Sequence, residues 1–115
     1  MKKSLIKQLD ALWAKKVKLR AGYCCEYCGE SDATARMNAC HIIGRRYRGT
    51  RWLLDNGMCL CYCCHRQYDS HGPLEQLIRK RVVGDTRYEQ LLLVKQEVAK
   101  NQDYETIRRA LCPTE

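Results

Sequence analysis

Apolar residues recur at three- and four-residue intervals along the first part of the chain. An α-helix has about 3.6 residues per turn, so these positions would share one helical face. We therefore predict an amphipathic helix from Ser4, which can cap it, to about Leu19, with Gly22 as its stop. Its predicted buried face consists of Leu5, Ile6, Leu9, Leu12, Trp13 and Val17.

Helical spacing returns in the last third of the chain. One helix is predicted over residues 74–83 and ends before Gly84, and two more are predicted to begin at the caps Asp85 and Asp103. Their apolar positions are Leu74, Leu77, Ile78, Val82, Tyr88, Leu91, Leu92, Val98, Tyr104, Ile107 and Leu111. These helices carry no evident chemistry, and packing, dimerisation and an additional DNA contact all fit the pattern.

The middle of the chain has a different pattern. Residues 29–37 are polar and predict a loop, residues 38–43 predict a short strand carrying His41, and residues 65–71 predict a helix. The predicted fold is one small α+β domain covering residues 1–115. In it an N-terminal helix (1–22) and C-terminal helices (72–115) flank a core (23–71).

Two Cys-x-x-Cys pairs bracket this core. The predicted ligands of a structural zinc ion are Cys25, Cys28, Cys61 and Cys64. A two-residue gap lets both thiolates of a turn reach one tetrahedral ion. The other cysteines are Cys24, Cys40, Cys59, Cys63 and Cys112. Cys24 and Cys63 each adjoin a predicted ligand and could replace it. The chain lacks Phe, so its core is modest, and a structural zinc ion should contribute substantially to its stability.

The sequence also indicates a compartment. After Met1 the chain becomes amphipathic, without an apolar signal core or a membrane-spanning run. We expect a cytoplasmic protein with no membrane partner, in which reduced cysteines serve as metal ligands rather than disulfides.

The charge of the chain favours a polyanionic partner. The formal net charge is +8, and Lys and Arg gain affinity for nucleic acid by releasing phosphate counterions. Four arginines, Arg45, Arg46, Arg48 and Arg51, fall within eight residues that also contain Tyr47 and Trp52. This mixture is typical of an exposed loop or hairpin that contacts DNA phosphates. For Trp52 alone a place in the core is favoured.

Three polar residues within the core predict catalysis. His41, Asn56 and His65 follow in this order, and His65 comes directly after the fourth predicted zinc ligand. Taken singly, they would be a structural histidine, a turn residue and a spare zinc ligand. Their shared order, with His41 and Asn56 between the two cysteine pairs and His65 directly after the second pair, instead favours a metal-dependent phosphodiesterase site.

These motifs resemble the zinc-containing form of the HNH endonuclease superfamily. The resemblance rests on Cys25-Glu-Tyr-Cys28, His41-Ile42-Ile43, Asn56 and the run from Leu60 to His65, and it covers roughly residues 20–71. The run from His41 to Arg46, with Thr50-Arg51-Trp52 and Asp55-Asn56, is similar to phage and prophage recombination nucleases of the NinG (Rap) type. The resemblance implies a ββα-metal finger, in which two strands and a helix surround a catalytic ion and zinc lies beside it.

The resemblance also implies residue roles. His41 would be the general base, Asn56 would lock the loop and orient the His41 ring, and His65 would ligate Mg²⁺ or Mn²⁺. That ion would polarise the scissile phosphate and stabilise the departing 3′ oxygen, leaving a 5′ phosphate and a 3′ hydroxyl.

One position departs from the family pattern. Many HNH sites have Asp or His directly before the catalytic histidine as a second protein ligand, whereas this chain has Cys40. A thiolate is a poor ligand for Mg²⁺. Either Cys40 points away and Asp69, His71 or Asp55 completes the shell, or the protein is a weak or inactive nuclease. Asp69 lies four residues after His65 and would share its helical face.

The leading functional expectation is a divalent-metal-dependent DNA endonuclease of phage or prophage origin. It would cut branched recombination intermediates such as D-loops and Holliday junctions. The alternatives are a non-specific or nicking HNH nuclease, and a catalytically inactive, zinc-stabilised DNA-binding module. Paired incisions at a junction need two active sites, which makes a homodimer attractive.

Overall fold

The protein folds into six helices and one two-stranded sheet within the described residues. The computed structural model describes residues 3–31, 36–95 and 104–111. The helices are α1 (Lys3–Arg20), α2 (Arg48–Arg51), α3 (Tyr62–Asp69), α4 (Pro73–Ile78), α5 (Asp85–Lys95) and α6 (Tyr104–Leu111), and the strands are β1 (Met37–His41) and β2 (Gly57–Cys61). A 3₁₀ turn covers Leu54–Asn56, and a π-helical segment, Arg79–Val83, continues α4. The predicted α+β class is confirmed.

The two strands form an antiparallel pair whose two faces are covered by different helices. In the register, His41 lies opposite Gly57 and Cys40 lies opposite Met58. Side chains alternate between the faces of a strand, so His41 and Cys40 project in opposite directions. Helix α1 packs against the face that carries His41, and helix α3 packs against the face that carries Cys40.

Each face of the sheet has its own apolar core. On the α1 side the buried residues are Leu9, Trp13, Val17, Trp52, Cys59 and Leu111. On the α3 side they include Cys40, Met58, Leu60, Tyr68, Ile78 and Leu91. The predicted helical stripe of Leu9, Trp13 and Val17 is therefore confirmed as core, and so is the buried place predicted for Trp52. None of the described helices has the length and apolar composition needed to cross a bilayer.

Several element boundaries differ from the sequence predictions. Strand β1 ends at His41, although one further backbone bond, from the Ile42 N–H to the carbonyl of Asn56 in the 3₁₀ turn, continues its register. Helix α3 begins at Tyr62 rather than His65, with Cys61 in extended conformation as its N-cap. The second cysteine pair therefore forms the start of this helix.

Two further segments differ from the sequence predictions. The arginine-rich segment, predicted as a loop or hairpin, contains the short helix α2, in which the buried Thr50 bonds back to the carbonyl of Tyr47. The strand β2 was not predicted from the pattern, because its buried residues do not alternate with polar ones. The predictions concerning Val98, the Asp103 cap and Cys112 lie outside the described residues.

Gly57 allows α1 to approach the sheet. A Cβ atom at this position would lie 2.5 Å from Val17 Cγ2 and 2.7 Å from Trp13 Cζ2. Its φ of −120° is ordinary extended backbone, so the requirement for glycine is the close approach of α1 rather than strain. The absence of a side chain here lets the Trp13 ring reach the neighbouring strand.

We predict that Gly57→Ala lowers the free energy of unfolding by about 1–3 kcal/mol, because the added methyl group overpacks a core that cannot move aside freely. Gly44→Ala is the matched control, since a Cβ at Gly44 meets no atom within 4 Å. Equilibrium denaturation of both variants checks this. Equal stability of the two variants would show that α1 is free to shift away from β2.

Candidate functional site

Four cysteine side chains converge where the first turn of the core meets the start of α3. The sulfur atoms of Cys25, Cys28, Cys61 and Cys64 all lie within 4.8 Å of one another. Those of Cys28 and Cys61 are 3.7 Å apart, far longer than a disulfide bond of about 2.05 Å. That separation matches the ligand-to-ligand distance of about 3.8 Å implied by four zinc–sulfur bonds of about 2.3 Å in a tetrahedron. The cluster can hold a structural zinc ion.

The first cysteine turn is fastened to β2 through the backbone. The Glu26 N–H donates to the Cys59 carbonyl, and the Cys59 N–H donates to the Glu26 carboxylate, both at 2.8 Å. Gly29 closes the turn by donating to the Cys25 carbonyl, and its φ of +84° favours glycine. The turn therefore presents Cys25 and Cys28 towards the end of β2.

The surroundings of the Cys25 sulfur favour its thiolate. Burial raises the pKa of its thiol, but backbone N–H groups at Cys28, Cys61 and Tyr27 favour the thiolate more and lower the pKa to about 7. For Cys64 burial and the crowding of neighbouring sulfurs raise the pKa. Four thiolates this close repel one another, so full ionisation requires a cation among them.

The cysteines that adjoin predicted ligands lie outside the cluster. Cys63 is exposed, and the Cys24 thiol donates to the carbonyl of Gly22. Cys59 is buried in the core beneath α1, and Cys40 belongs to a second group of donors. The structure thus brings together the four predicted sulfurs rather than their neighbours.

A groove of about 480 Å³ opens at the end of β1, between α1 and α3. Its lining includes Asp10, Trp13, His41, Arg45, His65 and Asp69. Residues from both faces of the sheet contribute, because the groove crosses the edge of β1 that faces away from β2. Two of the three predicted catalytic residues, His41 and His65, therefore share one cavity.

His41 is held as a neutral imidazole. Its ring stacks on Trp13 with 3.9 Å between ring centroids, and its Nε2 lies 3.0 Å from the carbonyl oxygen of Arg51. A carbonyl only accepts hydrogen bonds, so Nε2 carries the proton and Nδ1 keeps a lone pair. Burial, helped by the charge of Arg45, lowers the pKa of His41 to about 4. At neutral pH this side chain is therefore a neutral imidazole rather than an imidazolium ion.

Asn56 is buried and holds the loop that follows β1. Its Oδ1 accepts from the Ile43 N–H at 2.7 Å, and its Nδ2 donates to the Ile43 carbonyl at 3.0 Å. The predicted role in locking the loop agrees with these contacts. The predicted role in orienting the His41 ring, by a hydrogen bond from Asn56 to the ring, does not agree, because the Arg51 carbonyl contacts the ring instead.

A second group of potential metal ligands consists of Cys40, His65 and Asp69. Their donor atoms lie within 4.8 Å of one another, and His65 Nε2 is 3.0 Å from Asp69 Oδ2. The prediction that Asp69 shares a helical face with His65 agrees with this distance. Cys40 is buried, and burial together with the nearby Asp69 carboxylate raises the pKa of its thiol.

The other two residues proposed as ligands do not join this group. His71 lies beyond the end of α3 with a φ of 58°, and its Nδ1 is 3.2 Å from the Glu75 carboxylate. Asp55 lies in the 3₁₀ turn, where its backbone carbonyl accepts a hydrogen bond from Arg87. The turn that follows α3 directs His71 towards α4 instead of the groove.

The four arginines predicted to bind DNA have different surroundings. Arg45 is exposed at the groove, and Arg48 is exposed at the start of α2. Arg46 is exposed and lies over the Tyr47 ring at 4.9 Å from its centroid. Arg51 is mostly buried and forms a two-point ion pair with Asp10, with distances of 3.1 and 2.7 Å. Its guanidinium therefore attaches α2 to α1, which differs from the predicted solvent-facing contact.

Asp10 is a site residue that sequence reasoning missed. Its carboxylate accepts from Arg51 and from the Trp52 indole N–H, and it lines the groove beside His41. The available signal was that Asp10 is the one acidic residue in the described helix α1.

Comparison with models of protein families, with curated proteins and with solved structures gives no match for this chain. The region formed by β1, β2 and α3 is ββα-like, and with its four-cysteine cluster it is compatible with an HNH-type zinc finger. The similarity to that family rests on the motif residues and on this geometry.

We predict that Cys64→Ser removes one equivalent of tightly bound zinc and lowers the free energy of unfolding by at least about 2 kcal/mol, since metal binding contributes directly to folding. The adjacent Cys63→Ser is the control and should keep both its zinc and its stability, because Cys63 is exposed outside the cluster. Elemental analysis and thermal unfolding with and without a chelator check this. Zinc loss in Cys63→Ser but not in Cys64→Ser would show that Cys63, rather than Cys64, is the zinc ligand.

We predict that Asp10→Asn lowers the free energy of unfolding by about 1–2 kcal/mol at neutral pH, because it breaks a partly buried, charge-assisted contact. Burial raises the pKa of Asp10, but the hydrogen bonds from Arg51 and Trp52 lower it by more. The net pKa therefore lies below the ordinary value of 3.8. A lowered pKa stabilises the fold above that ordinary value and ceases to do so as pH falls through the folded-state pKa. The stability difference should thus be constant from pH 8 to about 5 and shrink near and below 3.8.

Denaturant titrations of both proteins across this pH range check the Asp10 prediction. Glu105→Gln is the control, because its pairing with Arg108 is on an exposed surface. A difference that vanishes already near neutral pH would mean that another group carries the effect.

Proposed function

We propose that this protein is a divalent-metal-dependent DNA endonuclease of the HNH type, which hydrolyses phosphodiester bonds. The observation that carries the proposal is the shared groove. A neutral imidazole, His41, and two members of a potential metal-ligand group, His65 and Asp69, line the same cavity of about 480 Å³. A base and a metal site on one phosphate are what hydrolysis of a phosphodiester requires.

His41 would act as the general base. The Arg51 carbonyl fixes the proton on Nε2, which leaves the Nδ1 lone pair free to take a proton from an attacking water. The Trp13 ring holds the imidazole plane, and burial keeps the imidazole neutral at neutral pH. Asn56 supports this indirectly, since it holds the loop that leaves β1.

His65, Asp69 and Cys40 would hold the divalent cation. When bound, such an ion polarises the scissile phosphate and stabilises charge on the departing 3′ oxygen. The structure supports the ligand assignment through the 3.0 Å contact between His65 and Asp69 and the proximity of the Cys40 sulfur.

Basic side chains around the groove support DNA as the substrate. Arg45 lines the cavity, and Arg46 and Arg48 are exposed on the adjoining segment. The net charge of +8 provides long-range attraction for a polyanion. Contacts of this kind hold the sugar-phosphate backbone and carry no direct sequence information. A preference for branched recombination intermediates, and a dimer that makes paired cuts, extend the proposal through the NinG-type resemblance.

We expect His41→Ala to lower DNA cleavage by at least about 100-fold, because general-base catalysis contributes about 10²–10⁴-fold. His71→Ala is the matched control and should cleave at the wild-type rate, because His71 pairs with Glu75 away from the groove. The assay uses linear duplex, a four-way junction and a D-loop with Mg²⁺, Mn²⁺ or Zn²⁺. Binding to the same DNAs is measured in parallel and should not change in either variant.

Each outcome of this assay separates the candidate functions. Cleavage that persists in His41→Ala rejects His41 as the base. Tight binding without cleavage by the wild-type protein in every metal identifies a DNA-binding module instead. Equal cleavage of all three DNAs favours a nuclease without structural preference.

A further inference from the structure

The sulfur of Cys40 is part of the second donor group, and this constrains which metal that group can hold. Cys40 projects from β1 towards α3, and its Sγ lies within 4.8 Å of the donor atoms of His65 and Asp69. The side chain is 1% exposed, so the sulfur faces the protein interior and these two groups rather than solvent. The alternative in which Cys40 points away from the site does not agree with this position.

We infer that Cys40, His65 and Asp69 form a second transition-metal site, which binds Zn²⁺ in preference to Mg²⁺. The inference rests on the proposed function for the role of this site, and it names the cofactor class that the site would use. One sulfur, one imidazole nitrogen and one carboxylate oxygen are a donor set for zinc, whereas magnesium prefers oxygen ligands in an octahedral arrangement. The expectation of Mg²⁺ or Mn²⁺ from the family resemblance is therefore replaced by Zn²⁺ for this chain.

The number of ligands distinguishes the second site from the first. The four-cysteine cluster offers four protein ligands, which is the closed arrangement of a structural zinc site. The second group offers three protein ligands, which is the number found at catalytic zinc sites that keep one position open. His65 and Asp69 line the groove, so the open position would be reached from there.

This donor group contains one carboxylate, that of Asp69, among its three members. The other candidate ligands lie apart from it, His71 beside Glu75 and Asp55 in the 3₁₀ turn. The helical pair of His65 and Asp69 is already aligned by its 3.0 Å contact, and β1 brings the sulfur to it. The three donor atoms are therefore already close together, and their chemistry suits a borderline-soft ion such as Zn²⁺.

Metal content tests this inference without reference to cleavage. The wild-type protein, purified with zinc and dialysed without chelator, should retain two equivalents of zinc per chain. Cys40→Ser should retain one, with affinity at the second site reduced by at least about 100-fold, since loss of a supporting second-shell group alone costs 10- to 100-fold. His71→Ala is the control and should retain two equivalents.

Cobalt substitution identifies the ligand. One equivalent of Co²⁺ added to protein that carries zinc only in the four-cysteine cluster should produce a thiolate-to-cobalt charge-transfer band. The band should be absent in Cys40→Ser, and excess Mg²⁺ should not displace the cobalt. Cys40→Asp, where it folds, should gain measurable Mg²⁺ binding. A wild-type protein with one zinc, a band that persists in Cys40→Ser, or displacement of cobalt by Mg²⁺ overturns the inference.

The two proposals fail separately in these experiments. Two zinc equivalents with no cleavage of any DNA would overturn the nuclease function and keep the second zinc site. Cleavage supported by Mg²⁺ in a protein with one zinc equivalent would overturn the zinc preference and keep the nuclease.

Discussion

The close approach of four sulfur atoms is the constraint on which the rest of the structure depends. A two-stranded sheet is only marginally stable by itself, and this chain has no Phe with which to build a large core. The sulfur cluster joins the first cysteine turn to the end of β2 and the first turn of α3. Because His65 directly follows Cys64, the cluster also sets where α3 begins and therefore where the second donor group lies.

Helix α1 provides the other half of the site, although none of its residues belongs to the recognised motifs. Trp13 stacks on His41, Gly57 leaves room for that stacking, and Asp10 connects α1 to α2 through Arg51. The imidazole and the group of potential metal ligands lie on opposite faces of the sheet, and both line the groove beside β1. The groove therefore depends both on the motif residues of the core and on the packing of α1 against them.

Short-range patterns predicted what depends on short-range geometry. The two-residue cysteine spacing predicted the four-cysteine cluster, the apolar stripe predicted the buried face of α1, and the four-residue interval predicted that Asp69 meets His65. Contacts between distant residues were not predictable in this way. The carbonyl of Arg51, at the end of α2, contacts the His41 ring. The Arg51 side chain is withdrawn from solvent because it pairs with Asp10, which lies 41 residues earlier in sequence but adjacent in space. The sequence of an arginine-rich segment does not reveal whether its charged groups contact DNA or a carboxylate of the same chain.

The positions of the two tryptophans give the protein an intrinsic optical probe. The Trp13 indole donates to the carbonyl of Leu53, and the Trp52 indole donates to Asp10, so both chromophores lie in the wall between α1 and α2. These are the only two tryptophans of the chain. Trp13 also lines the groove and stacks on His41, so the part of the indole emission that comes from Trp13 depends on what lies beside that imidazole.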